Sequence, residues 1–298
     1  MLRTVLVPLD GSQLAESVLP YARNIGKRSG ATLVLLTAVH GSPPWGDRPV
    51  KTDTEEEIEA QGYLESRRRE MEGEGLKVEI RLAHGPAAEE ILAAAGHDVD
   101  LIAMSTHGRS GVTRWLFGSV AEKVLHAAVC PLLLVRAKEG GGEWRREGTI
   151  GRILVPLDGS PLSLSALPAI EELAKALGAS LILFHAVPLL GLQAGAEMPP
   201  STGEILDQLQ AQAHQFLLKM VQEVKERGLK AESRVSLGFA ADEIVRAADA
   251  SAADLIAMGT HGRSGLGRWV IGSVALGVLH RTKLPCLLVR PPEAQKRA

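Results

Sequence analysis

Aromatic side chains make up only 3% of the 298-residue chain, which leaves little for stacking the bases of a single-stranded nucleic acid. A dominant charge is missing as well. Lys and Arg number 33 against 35 Asp and Glu, a formal net charge of -2, so there is no global electrostatic case for nucleic acid or an anionic membrane surface. The two cysteines, Cys130 and Cys286, have no CxxC partners and sit beside prolines in strand-like runs. They read as buried thiols, not as a disulfide framework or a metal site. No stretch of about 18 apolar residues occurs, so no segment is expected to span a bilayer. The opening "MLRTVLVPLDGS" has an apolar run too short for a signal-peptide core, broken by Pro8 and Asp10, and the expected location is the cytoplasm. What is present is ordinary for a globular protein: 45% hydrophobic and 23% charged residues.

The chain is written twice. "VLVPLDGS" at Val5–Ser12 returns as "ILVPLDGS" at Ile153–Ser160, an offset of 148. Residues 105–136 align with 259–290 without a gap at an offset of 154, and 20 of the 32 positions are identical. Such identity over a non-periodic stretch marks a duplicated domain. The expected organisation is domain one at 1–137, a linker at 138–150 within the Gly- and charge-rich "AKEGGGEWRREGT", domain two at 151–292, and a charged tail at 293–298.

Within each copy, short apolar runs alternate with helical spacing. In the first, strands are predicted at Thr4–Leu9, Thr32–Val39, Val78–Ala83, Leu101–Ser105 and Leu132–Val135. Helices are predicted from Ser12 to about Lys27 and at Thr54–Glu72, Pro86–Ala95 and Ser119–Ala127. Pro20, and Pro168 at the matching place, fall inside the first helix and are expected to kink it. The second copy's long helix is expected to bury a face of Ile205, Leu209, Phe216, Met220 and Val224. Five strands interleaved with helices give an α/β fold, two tandem doubly wound domains with five-stranded parallel sheets. Ligands in such sheets bind beyond the carboxyl ends of the strands, where the strand order reverses. That directs attention to "PLDGS" after strand one, "TAV" and "HAV" at strand two, and the loops after strand four.

Those last loops are "STHGRSGVTRWLFGS" (Ser105–Ser119) and "GTHGRSGLGRWVIGS" (Gly259–Ser273). Gly259 permits a close turn or a positive φ, and Gly262 and Gly265 add backbone freedom. Gly272-Ser273 opens a helix with a good capping residue. A helix N-terminus suits a phosphate, with the Ser273 hydroxyl and Arg263 or Arg268 as further donors. The plainer reading is a strand-to-helix loop punctuated by glycine, with Ser273 as a simple N-cap. The chain has no Walker A loop, and the dinucleotide fingerprint would follow the first strand, not the fourth. His107 and His261 lack paired metal-ligand spacing; each reads as a positioning residue, a phosphate donor or a proton-transfer group. "GRSG" is not a hydrolase nucleophile elbow.

The order "PLDGS … [TH]AV … MGTHGRSG…GS" resembles the universal stress protein family in its tandem two-domain form, over nearly the whole chain. That resemblance implies the adenine nucleotide alpha hydrolase-like fold. The family's ATP-binding branch carries G-x2-G-x9-G-[ST], matched in copy two by Gly259, Gly262, Gly272 and Ser273; copy one has Gly108, Gly118 and Ser119 but Ser105 at the first glycine. What the resemblance implies for domain two is a nucleotide site of Pro156, Leu157, Asp158, Ala186, Met258, Gly259, His261, Gly262, Arg263, Gly272, Ser273 and Val274. For domain one it implies Pro8, Leu9, Asp10, Ala38, Met104, Ser105, His107, Gly108, Arg109, Gly118, Ser119 and Val120. Asp10 and Asp158 would face the adenosine, or serve only as turn residues. Ala38 and Ala186 would offer backbone groups to adenine. Met104 and Met258 would lie near base or ribose, or are simply core.

The expected ligand is ATP, with or without Mg²⁺, and the expected role is a nucleotide-dependent regulatory protein in the stress response. A slow ATPase or phosphotransferase is the enzymatic alternative, weakened because the phosphate loop itself offers no carboxylate for a metal. A scaffold with one degenerate site is the third. No catalytic residue, resident metal, nucleic acid or membrane is expected. The resemblance further implies that the apolar edge strands "PLLLVR" and "CLLVR" pair between the two copies as a pseudo-dimer, with scope for a homodimer of chains.

Overall fold

A computed structural model of the chain describes residues 2–39, 53–96, 98–107, 117–136, 148–189, 201–260 and 271–290. It divides into two compact units, Met1–Thr149 and Ile150–Ala298. The first runs β1 (Thr4–Pro8), α1 (Gln13–Glu16), α2 (Leu19–Ser29), β2 (Thr32–Val39), α3 (Asp53–Gly73), β3 (Lys77–His84), α4 (Ala87–Ala94), β4 (Leu101–Ser105), α5 (Ser119–Ala127) and β5 (Leu132–Val135). The second repeats that order as β6 (Arg152–Pro156), α6 (Pro161–Leu164), α7 (Leu167–Leu177), β7 (Ser180–Val187), α8 (Ser201–Glu226), β8 (Ala231–Leu237), α9 (Ala240–Ala250), β9 (Leu255–Gly259), α10 (Ser273–Arg281) and β10 (Cys286–Val289).

Strand order in the first unit is β3-β2-β1-β4-β5, and in the second β8-β7-β6-β9-β10, with parallel pairing throughout each. The chain builds outward from β1 to β3, then returns to β4 on the other side of β1. A crevice therefore opens between β1 and β4, and likewise between β6 and β9. Val5, Leu6 and Val7 are fully buried, as a central strand covered on both faces requires. β3 is the outer strand, and its residues alternate between exposed and half-buried along most of its length.

The prolines do not kink a single long helix. α1 is one turn, ending at Glu16, where the Ser17 N–H turns back to the Leu14 and Ala15 carbonyls. A new helix starts at Leu19, placing Pro20 in its first turn, where a missing N–H breaks no helical hydrogen bond. Pro168 occupies the same place in α7. The long helix α8 also differs from its expected face: Ile205 is 50% exposed, and the buried stripe is Leu206, Ala213, Leu217, Met220 and Val224. Cys286 is buried as expected, whereas Cys130, just ahead of β5, is only partly so. Burial pushes their thiols up to about 12 and about 11 respectively.

Each crevice is braced from below by one aspartate. Asp100 Oδ2 accepts from the backbone N–H groups of Arg3 and Thr4 at 2.7 and 2.9 Å. Asp254 Oδ2 accepts from Gly151 and Arg152 at 2.8 and 2.9 Å. In both units this ties the entry of the first strand to the entry of the fourth.

Candidate functional site

The first wall of each crevice is the Asp-Gly-Ser turn. Asp10 Oδ1 accepts from the Ser12 N–H at 3.0 Å and from the Ser12 hydroxyl at 2.6 Å. The Ser12 hydroxyl in turn accepts the Ala15 N–H at 3.1 Å, capping α1. Asp158, Ser160 and Ser163 repeat the arrangement at 2.9, 2.6 and 3.1 Å. Gly11 and Gly159 sit between with φ of 81° and 78°, a conformation costly for any residue with a Cβ. One oxygen of each aspartate thus has a turn-forming role, and the same side chain lines the crevice.

The second wall comes from β2 and β7. The buried Thr37 hydroxyl donates to the Leu9 carbonyl at 3.0 Å, locking β2 to the exit of β1 and leaving Ala38 at the crevice. In the second unit His185 is buried before Ala186 and meets the Phe216 ring edge-on at 6.1 Å.

The floor is β4 and β9. Ser105 pairs with Val135, and Gly259 pairs with Val289 in the same register. Gly259 therefore ends its strand in ordinary extended geometry, without the positive φ its identity allows. A side chain is accommodated at this position: the Ser105 hydroxyl accepts the His107 N–H at 3.4 Å. His107 itself is buried, with Nδ1 3.0 Å from the Thr106 hydroxyl.

The last wall is the start of α5 and α10. The Gly118 N–H donates to the Thr106 carbonyl, and the Gly272 N–H to the Thr260 carbonyl, both at 2.8 Å. These bonds hold each helix N-terminus against the end of the fourth strand. Neither serine is the N-cap. Gly118 and Gly272 cap in extended or near-extended geometry without a side-chain hydrogen bond, and Ser119 and Ser273 are the first helical residues. The reason is backbone geometry: the cap residue has a non-helical ψ, here 153° and 144° at the glycines.

A cavity of about 380 Å³ occupies the first crevice, and its lining includes Pro8, Leu9, Asp10, Ala38, Met104, Ser105, His107, Gly118, Ser119 and Val120. One of about 290 Å³ occupies the second, with Pro156, Leu157, Asp158, Ala186, Met258, Gly259, Gly272, Ser273 and Val274. Gly108, Arg109, His261, Gly262 and Arg263 lie outside the described residues. The structure also adds lining residues that sequence reasoning passed over. Ala87 and Ile91 of α4 line the first cavity, and Ala240 and Ile244 of α9 line the second. Glu56 of α3 reaches the first cavity alone, with no α8 residue among the described lining of the second. The signal for the α4 and α9 residues was their repetition, "AHGPAAEEI" against "SLGFAADEI". Among the described residues no group of three or more His, Cys, Asp or Glu could hold a metal ion, and no helix is long and apolar enough to cross a membrane.

The sequence pattern of the universal stress protein family matches residues 1–136 and again 149–290. A universal stress protein of Methanocaldococcus jannaschii is 34% identical over 153 residues, which are 50% of this chain and 87% of that protein. One from Mycobacterium tuberculosis is 26% identical over 196 residues, and the match spans 65% of this chain but only 63% of the relative's length. The crystal structure of a universal stress protein from Archaeoglobus fulgidus superposes with a TM-score of 0.72, covering 97% of this chain and 98% of that one at 22% identity. At that identity the likeness speaks to fold alone.

Proposed function

Because the chain belongs to the universal stress protein family, matching its pattern twice, we propose that each half binds an adenine nucleotide, with ATP the reference ligand, and that occupancy regulates the protein. The observation carrying this reading is the convergence, in each unit, of three strand ends and one helix N-terminus on a single cavity. In this reading the base lies against Ala38 or Ala186, where the strand ends and its backbone groups are available. The sugar lies by Asp10 or Asp158. The phosphates lie against the first backbone N–H groups of α5 or α10, whose positive dipole end is unblocked by a capping side chain. Cavity volumes near the lower end of the roughly 300–1,000 Å³ usual for ligand sites suit a nucleoside body with phosphates leading outward.

A regulatory role requires that nucleotide favour one state of the protein over another, through a difference in affinity between them. The proposal is tested by denaturing the purified chain and identifying released small molecules by mass spectrometry. An adenine nucleotide is expected. A chain that carries none, and takes up none when ATP is supplied, would remove the reading.

A further inference from the structure

Most matched places in the two cavities carry the same residue type, and the exception deepest in the crevice is Leu36 against Phe184. Strand register makes these two equivalent, because Pro8 pairs with Leu36 and Pro156 with Phe184. Each stands two residues before the alanine that ends its wall, Ala38 or Ala186. Side chains two apart on a strand share a face, and all four residues line their cavities. Leu36 and Phe184 therefore lie one step below the alanines. Around them the wall does not change: Ile91 is matched by Ile244 and Met104 by Met258.

The contrast is one of size. Leucine in the first cavity leaves room that a phenylalanine ring fills in the second, and the first cavity is the larger, about 380 Å³ against about 290 Å³. Both side chains are fully buried, and in a close-packed interior neither can swing aside without displacing its neighbours. Ser163 adds a hydroxyl where the first cavity has Ala15, and that hydroxyl donates to the Ser160 carbonyl at 3.0 Å. At the end of the fourth strand the contrast reverses, with Ser105 in the first cavity and Gly259 in the second. The first cavity is thus roomier beneath Ala38, and the second roomier where its fourth strand ends.

We propose that the two halves sort adenine ligands by the size of the base, a refinement that rests on the nucleotide-binding reading above. With the sugar at Asp10 and the base at Ala38, the six-membered ring of adenine is the end directed away from the sugar, toward Leu36. The first cavity takes an adenine carrying an added group on that ring. The second, with Phe184 beneath Ala186, takes the unsubstituted base. A misfit of one methylene in an apolar pocket is worth about 10–200-fold, so a preference of at least about tenfold is expected.

The test is calorimetric titration of the full chain, stripped of nucleotide, with ATP and with two analogues of equal charge. One is ATP benzylated on the adenine amino group, and the other carries a methylthio group on the six-membered ring. Equal charge means that Glu56 weighs on all three alike. For at least one analogue, two classes of site are expected, differing about tenfold or more in the ratio of analogue to ATP affinity. Phe184→Leu should raise that ratio at the poorer site about tenfold, and Leu36→Phe should lower it at the better site by as much. Either variant decides the matter if the other fails to fold. Ratios equal at both sites for both analogues, or unmoved in a folded variant, overturn the size-sorting proposal alone. Failure of ATP itself to bind overturns the nucleotide reading beneath it.

Discussion

Arg227 lays its guanidinium along the carboxylate of Glu171, with Nε at 3.1 and 2.9 Å from the two oxygens and Nη2 at 2.8 Å from Oε1. The matching positions in the first unit, Glu74 and Arg23, make the same contact with the signs reversed, Arg23 Nε to Glu74 Oε1 at 3.1 Å. Hydrogen bonding to Glu171 holds the Arg227 guanidinium above its usual pKa, and hydrogen bonding to Lys27 holds Glu74 below the usual carboxylate range. In each unit the pair ties the helix after the first strand to the end of the long second helix. The Glu171 side chain is only 7% exposed, so its charge needs a partner.

Glu171→Arg alone should therefore destabilise the chain, by about 1–2 kcal/mol once the exposure of Arg227 is allowed for. The double change Glu171→Arg with Arg227→Glu, which copies the first unit, should recover most of the loss. Urea unfolding of the three proteins checks this; a double variant no better than the single one would show that the pair is not the cause.

Asp254→Ala should cost about 1–3 kcal/mol, because it strips the acceptor from two strand-entry N–H groups at once. Asp254→Asn keeps an acceptor oxygen and should cost less. The same unfolding measurement separates them, and equal losses would point to packing instead of hydrogen bonding.

Gly159→Ala should cost about 1 kcal/mol through backbone strain, since φ there is 78°. A Cβ at this position would meet only the Phe216 ring edge, at an ordinary 4.0 Å, so steric clash is not the cause. Gly159→Asn should recover part of the loss, because asparagine enters the left-handed region more readily. Thermal unfolding of the two variants against the parent protein measures both.

Cys286 gives a pH prediction. Its thiol is pushed up to about 12 by burial, so the folded state holds its proton more tightly than the unfolded chain does. The stabilisation is present below the ordinary thiol pKa of about 8.5 and is lost as pH rises toward 12. Cys286→Ser, whose hydroxyl does not titrate there, should flatten the stability curve between about pH 9 and 12. Thiol labelling at pH 8 should likewise be slow at Cys286 until the protein unfolds.

Much of this architecture was legible because it is stated twice. Repetition exposed the strand-one turn and the strand-four loop, and apolar runs located every strand of the first unit to within a residue or so. The break between α1 and α2 was hidden because Leu14, Val18, Ala22 and Ile25 keep helical spacing straight across it. Ile205 misled because Leu206 beside it is equally apolar, and only packing against the sheet decides which turns inward. Ala87, Ile91, Ala240 and Ile244 were not singled out, because small and apolar side chains on a short helix carry no binding signal until the fold sets them at a crevice. Glu56 carries no motif or repeat to single it out within the charged run of α3. Its neighbours in space, Ala38 and Met104, are distant in sequence, and only the fold brings them together.

The central claim is that both cavities hold an adenine nucleotide, and equilibrium dialysis of radiolabelled ATP against the stripped, full chain tests it most directly. The account predicts saturable uptake approaching two equivalents per chain, reduced toward one when either cavity is filled by Met104→Trp or Met258→Trp. Uptake that never saturates, or that neither substitution changes, would contradict it.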